Sequence, residues 1–369
     1  MSALFTLFAL AGLAARRASV CLGLTIAALA AACGPDQPAS PDTTPACDAG
    51  DCTPVPATWA VVTETLPGAL FSVWGTSETD VWMAGAADPK APAKGPTVLH
   101  WTGSAWERPV IAAPGVDLWW VNGLGDDVWF AGSKGTIVRW KRAAATAEVM
   151  QAPSKDQLWG VLPLAANNVW AVGGRPECDA GSSCGVIWHY DGKAWVTAPG
   201  LSAALRDEAT WFKAWARAPN DLYVCGSGGK MLRYDGKTWT SVASGTTRTL
   251  FTVHGHGKLV VAVGGFGTGT LVEDTGCGFK DVTPKGMSQV NGVFVLPDGK
   301  AVAVGFAGEV WLRTPAGWQP DLTAPEALRD FHATWATPGG AIWAVGGNIM
   351  SAPFTEGQIA HRGAKVLAP

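Results

Sequence analysis

One motif recurs seven times along the chain: a short apolar run that closes on glycine. It reads Val81-Trp82-Met83-Ala84-Gly85, Val128-Trp129-Phe130-Ala131-Gly132, Val169-Trp170-Ala171-Val172-Gly173 and Leu222-Tyr223-Val224-Cys225-Gly226. It continues as Val260-Val261-Ala262-Val263-Gly264, Val302-Ala303-Val304-Gly305 and Ile342-Trp343-Ala344-Val345-Gly346. Successive glycines stand 47, 41, 53, 38, 41 and 41 residues apart, a period that suits one four-stranded propeller blade per copy.

The rest of each unit is organised around that strand. Fourteen or fifteen residues earlier lies an apolar opening, at Leu70, Leu118, Leu158, Trp211, Leu250, Val290 and Phe331, which predicts an innermost strand. A turn of Asp, Asn, Gly or Pro separates the two, as at Thr79-Asp80, Asn167-Asn168 and Pro297-Asp298-Gly299. After the glycine comes a third strand such as Met231-Leu232-Arg233-Tyr234, then an Asp-Gly turn into a Trp-led outer strand, Asp235-Gly236-Lys237-Thr238-Trp239. The same turn stands at Asp191-Gly192-Lys193-Ala194-Trp195. The seventh unit ends near Arg362 without a Trp-led strand, whereas Thr58-Trp59-Ala60-Val61-Val62 precedes the first unit and looks like one. The expected fold is therefore all-β: a seven-bladed β-propeller spanning 57–369, its last blade completed by the N-terminal strand, which removes an exposed sheet edge.

Composition agrees. The 46 glycines suit strands and tight turns better than helices, where each costs roughly 1 kcal/mol. Charged residues are only 15% and the formal net charge is −3, without a basic cluster, so no nucleic-acid partner is expected.

The repeat resembles the Asp-box (BNR-type) propellers, and among them the photosystem II assembly factor-like group. The motifs that carry the resemblance are Val-Trp-Ala-Val-Gly at 169–173, Gly-Gly-Lys-Met-Leu-Arg-Tyr at 228–234 and Asp-Gly-Lys-Thr-Trp at 235–239. Asp235 and Trp239 are four steps apart, one fewer than in the Asp-box, so the resemblance implies the fold and carries no activity across.

Ahead of the repeats, Arg16-Arg17, an apolar run from Val20 to Ala32 and the exit Leu29-Ala30-Ala31-Ala32-Cys33-Gly34 have the layout of an export signal. The cysteine after small residues resembles the bacterial lipobox, with its Leu one place early. Residues 1–33 thus read as a lipoprotein signal peptide acylated at Cys33, and Gly34 next to it resembles outer-membrane lipoproteins of the cell envelope. A retained membrane helix is the competing reading. Residues 34–56 are rich in Pro, Asp and Thr and read as a disordered linker.

In an oxidising envelope the close pairs Cys47 with Cys52 and Cys178 with Cys184 are expected to form local disulfides. Whether Cys225 pairs with Cys277 stays open. No metal or cofactor is expected: the cysteine pairs lack further ligands at metal spacing, and His254-Gly255-His256 has no carboxylate beside it.

Most tryptophans occupy equivalent places in the repeat, which points to packing between blades. Departures from the repeat are more informative. Trp120 and Lys213 stand in the innermost strand where other blades carry small residues, and Asn122 and His254 replace an aromatic residue at a neighbouring position. These four are candidates to line the central channel. The loops 86–97, 175–185 and 199–209 are the longest insertions, and Arg175 is their candidate contact.

Two function classes follow. A sialidase-type hydrolase would need converging arginines, for which Arg206, Arg248 and Arg329 are candidates, and a Tyr nucleophile. Tyr190, Tyr223 and Tyr234 all sit in recurring strand positions, which argues against that chemistry. A non-catalytic, monomeric binding or scaffold propeller on a lipid anchor, with an envelope protein or polysaccharide as partner, demands less and is preferred. Carbohydrate binding is the alternative.

Overall fold

The computed structural model describes residues 58–175, 184–325 and 329–369. Cys33, Cys47, Cys52, Cys178 and the whole of 1–56 lie outside them. Seven four-stranded antiparallel sheets form the blades of a β-propeller. Blade one runs from its innermost strand Leu70–Ser77 through Asp80–Ala87 and Pro96–Trp101 to Trp106–Glu107. The innermost strands of the next blades are Leu118–Leu124, Leu158–Ala165, Trp211–Ala218, Leu250–His256, Val290–Val295 and Asp330–Ala336. In the seventh blade the outer place is taken by Trp59–Gly68, which pairs with Thr355–Arg362 in a register that opposes Trp59 to Arg362 and Gly68 to Thr355. The swapped closure is as expected.

The recurring glycine has a steric cause. It lies at or near the end of the second strand, opposite the apolar residue that opens the innermost strand, as in Leu70 with Gly85 and Leu250 with Gly264. A Cβ there would overlap a backbone carbonyl just before the inner strand: Ala69 at Gly85, Asp117 at Gly132, Gln157 at Gly173, Thr210 at Gly226, Thr249 at Gly264, Gln289 at Gly305 and Asp330 at Gly346. Only glycine lets the chain enter so close. Immediately after this contact every inner strand bulges by one residue: the register jumps from Leu70 to Ser72, Leu118 to Trp120, Leu158 to Gly160, Trp211 to Lys213, Leu250 to Thr252, Val290 to Gly292 and Phe331 to Ala333.

The turn residues do more than turn. Asp80 accepts from Trp82 Nε1 at 3.0 Å and contacts His100 at 2.9 Å, and Asn168 does the same for Trp170 and His189 at 2.7 and 3.0 Å. In blades two and four Asp127 and Asp221 hold Arg139 and Arg233 of the third strand instead. At the outer turn Asp191 Oδ1 accepts the amides of Lys193 and Ala194 at 2.8 and 2.9 Å, and Asp235 Oδ1 those of Lys237 and Thr238 at 2.9 and 2.7 Å. Gly192 and Gly236 follow with φ of 93° and 91°. Trp82, Trp129, Trp170 and Trp343 are all buried, in apolar clusters that bridge neighbouring blades.

Candidate functional site

The bulge aims one side chain per blade at the end of the central channel where the inner strands begin. Bulged residues re-aim their side chains away from the alternation of the ladder. Around the ring they are Phe71, Trp119, Trp159, Phe212 and Phe251, then Asn291 and His332. Five consecutive blades therefore present an aromatic ring. Phe71 stacks on Trp119 with centroids 3.9 Å apart and planes at 8°. Trp119 meets Trp159 at 4.7 Å, Trp159 meets Phe212 at 5.8 Å, and Phe212 meets Phe251 at 5.5 Å. Two loops add to the wall: Phe266 lies 5.1 Å from Phe251, and Phe354 lies 5.3 Å from both Phe71 and Trp119. Trp119, Trp159, Phe212, Phe251, Phe266 and Phe354, together with Ile349 and Met350, bound a mouth of about 350 Å³, with Lys213, Thr252, Gln289, Asn291 and His332 as its polar lining, while Phe71 is fully buried behind Trp119. Phe266 and Met350 stand on the rim, 67% and 56% exposed.

The far end of the channel holds a second cavity of about 300 Å³. It is walled by Trp74, Trp120, Asn122, Trp215, His254, Phe294 and Trp335. Thr252 borders both cavities.

The polar groups of both cavities are largely spent on stitching blades together. Ser72 Oγ accepts from the Val121 amide at 3.0 Å, and Thr252 Oγ1 donates to Asn291 O at 2.6 Å. Asn291 Nδ2 donates to Phe331 O at 2.7 Å, while its Oδ1 accepts from Gln289 at 2.9 Å. His332 Nδ1 donates to Phe71 O, and Lys213 Nζ donates to Trp159 O. The Lys213 ammonium also lies 4.3 Å from the centroid of the Trp120 ring. Burial pushes Lys213 down to about 7, partly offset by the neighbouring Cys225 thiol. His332 is pushed down to about 3 by burial and by the Lys213 charge.

The residues singled out by sequence separate accordingly. Trp120 and Lys213 are brought together, and with Asn122 and His254 they line the channel. Asn122 Oδ1 accepts from the Gly123 amide at 2.8 Å, and His254 Nδ1 from the Val295 amide at 3.0 Å. Those two side chains are thus engaged in backbone contacts at the far end, and burial and His256 push His254 down to about 3. Arg175 is apart from the channel lining, with a side chain 60% exposed and 3.9 Å from Asp156. It nevertheless lies on the mouth face, because it follows Gly173, which pairs with the start of the inner strand. By the same topology the loops 86–97 and 199–209 emerge on that face, while most of the loop 175–185 lies outside the described residues. Sequence reading missed the aromatic bulge series. Its signal was present: the residue after each apolar opening is Phe or Trp in blades one to five.

Arg206 pairs with Asp207 and Arg329 with Glu356, both at 2.8 Å, and Arg248 borders a separate surface hollow between blades four and five. None of the three lines the mouth. Tyr190 and Tyr234 donate to Gly192 O and Gly236 O at 3.1 and 2.9 Å, and Tyr223 lies between Arg217 and Arg233. Cys225 is a buried free thiol, whereas Cys277 and Cys184 are disulfide-bonded, so Cys225 and Cys277 do not pair with each other.

Neither a protein-family model nor a curated protein matches the chain. Solved structures share its fold. YCF48 from Cyanidioschyzon merolae superposes with a TM-score of 0.62 at 15% identity, over 83% of this chain and 99% of that one. YCF48 bound to D1 peptide gives 0.61 at 11% identity, over 84% and 100%. Virginiamycin B lyase from Staphylococcus aureus gives 0.61 at 12%, over 83% and 100%. At such identities the likeness is one of fold.

Proposed function

We propose that this chain is a non-catalytic binding or scaffold propeller of the cell envelope, held on a lipid at Cys33, whose aromatic mouth receives an apolar part of a partner protein. The observation that carries the reading is the placement of the aromatic bulge residues of four consecutive blades, Trp119, Trp159, Phe212 and Phe251, around one mouth, on the face that also bears the loops 86–97 and 199–209. Burying one aromatic or branched aliphatic side chain there contributes roughly 1.5–3 kcal/mol, the scale of an interface anchor. Chain direction fits the reading. Gly68 and Thr355 meet at the mouth end and Trp59 and Arg362 at the other, so the chain enters the disc on the face opposite the mouth. One of the similar structures holds a peptide, which supports a protein partner in general. A sugar would bring many hydroxyls to a cavity whose polar groups are mostly bonded to neighbouring blades, so polysaccharide is the weaker candidate.

A crosslinking pull-down from native envelopes, with the full chain as bait, tests the reading. One or two proteins should be enriched and then lost with the pair Trp159→Ala and Phe251→Ala. Enrichment unchanged by that pair would remove the mouth from the account.

A further inference from the structure

The mouth has unspent hydrogen-bonding capacity of one kind. Lys213 is 4% exposed, and its ammonium has one carbonyl partner, Trp159 O, and the face of Trp120. Among the described residues no carboxylate pairs with it; the group acting on its charge is the Cys225 thiol. Trp159 Nε1 is buried in the same wall and donates to nothing among the described residues. The acceptors nearby are already used: Gln289 Oε1 takes the Gly267 amide at 3.2 Å, and Asn291 Oδ1 takes Gln289 Nε2. What remains is a pair of donors, one of them cationic, on two residues that line the same aromatic cup. A buried cation without a counter-ion is costly, and a buried N–H without an acceptor nearly as unwelcome. Both deficits are met by one group with two acceptor oxygens and a single negative charge. A phosphate brings more charge and more oxygens than one ammonium and one indole can satisfy.

We propose that the mouth binds a carboxylate carried on an aromatic or aliphatic stem, the carboxylate on Lys213 Nζ and Trp159 Nε1 and the stem against the ring of bulge aromatics. The inference rests on the mouth being the binding site and adds the chemistry of what enters it. Two sources share this chemistry, a free apolar acid and the C-terminal carboxylate of a polypeptide.

The test is a tryptophan-fluorescence titration of the full chain with 3-phenylpropionate and its neutral amide from pH 5 to 9. His332 and Cys225, the titratable groups that face Lys213, keep one protonation state over this range, since burial holds the first at about 3 and the second at about 12. The acid should bind at least tenfold more tightly than the amide at pH 6. Its affinity should fall by about tenfold per pH unit above 7, as a proton must be taken up by Lys213 on binding. The amide should show no such slope. Lys213→Met should abolish the advantage of the acid over the amide, and Trp159→Phe should weaken the acid several-fold. The wild-type pH series decides the matter even if Lys213→Met does not fold. A peptide ending in phenylalanine, as free acid and as amide, identifies the source: the tighter of the two acids names it. Equal binding of acid and amide at pH 6, or an acid affinity flat across pH, overturns this inference and leaves the mouth as an apolar site. No response to acid or amide overturns both.

Discussion

The two ends of the channel are built from the same seven strands and differ in every respect that matters for recognition. At the far end, blades one to five turn from first to second strand over two residues, as between Ser77 and Asp80 or His256 and Leu259. Its cavity wall comes from the regular ladder beyond the bulge. At the mouth, loops vary in length and the wall comes from the bulge itself, supplemented by Phe266 and Phe354. A regular ladder fixes a side chain by packing on both neighbours. A bulge frees it from the ladder and leaves it to meet whatever enters. The difference teaches that the far end holds the ring closed while the mouth is where this chain departs from a generic propeller.

Glycine substitutions break that comparison most sharply. Gly264→Ala puts a methyl into the Thr249 carbonyl at the mouth-end crossing, where backbone on both sides must move. A loss of about 3 kcal/mol is expected, at the upper end for overpacking. Gly257 has a φ of 56° in the far-end turn with no atom within 4 Å of an added Cβ. Gly257→Asn should cost under about 1 kcal/mol, since Asn tolerates the left-handed region. Urea unfolding of the pair checks both values; equal losses would mean that the crossing is not a fixed point of the blade.

Tryptophan truncations sharpen it next. Trp335 is 6% exposed at the far end, and Trp335→Ala should cost about 3–5 kcal/mol. Trp159 is only half-buried at the mouth, and Trp159→Ala should cost about 1–2 kcal/mol by the same scaling of buried area. Partner capture should reverse the order, lost for Trp159→Ala and kept by the folded fraction of Trp335→Ala. Melting curves and pull-downs on the same preparations read the two effects apart.

This division also accounts for what could be read from sequence. The blade count, the swapped closing strand and the inter-blade role of the second-strand tryptophans were legible because each repeats, and repetition averages out drift. The recurring glycine could be seen, but its cause, a carbonyl that any Cβ would strike, belongs to three dimensions. Lys213 and Trp120 stood out as departures from the repeat and do meet. Asn122 and His254 stood out equally, yet their side chains are bonded to backbone. The aromatic bulge series was overlooked because a bulge shifts register by one, and strand alternation assigns those residues to the wrong face.

The two channel histidines offer a subtler contrast through acid. His332 at the mouth donates from Nδ1 to a carbonyl, and His254 at the far end accepts on Nδ1 from an amide, so they are opposite neutral tautomers. Burial is the main reason both are held at about 3, and His361 at about 4, below the ordinary 6.5. The unfolded chain binds these protons from about pH 6.5 downward and the folded one does not. Stability is therefore present above 6.5 and is lost as pH falls through that window, by up to about 1.4 kcal/mol per pH unit for each group. A protonated His332 keeps its donor, whereas a protonated His254 has no lone pair left for the Val295 amide. His254→Asn, which keeps an acceptor, should flatten the acid limb more than His332→Asn. Urea midpoints at pH 7, 5.5 and 4.5 would show it, and an equal response would mean that desolvation alone sets both groups.

The smallest expected effect concerns the face rather than the channel. Arg175 shares the mouth face with Lys213 and carries the same formal charge, but its side chain is 60% exposed and its partner Asp156 is 3.9 Å away. Exposed pairs of this kind contribute little, so Arg175→Ala should change stability by under about 0.5 kcal/mol. Its influence on binding should be confined to association rate and should fade as salt is raised, as for a charge on a rim. Lys213 works in the opposite regime, where water is excluded and screening is weak. Stopped-flow association with the captured partner at low and high salt separates the two regimes. A tenfold loss of affinity for Arg175→Ala that persists in high salt would move recognition from the mouth to the loop beside it, and the aromatic ring would then be packing that happens to be open at one end.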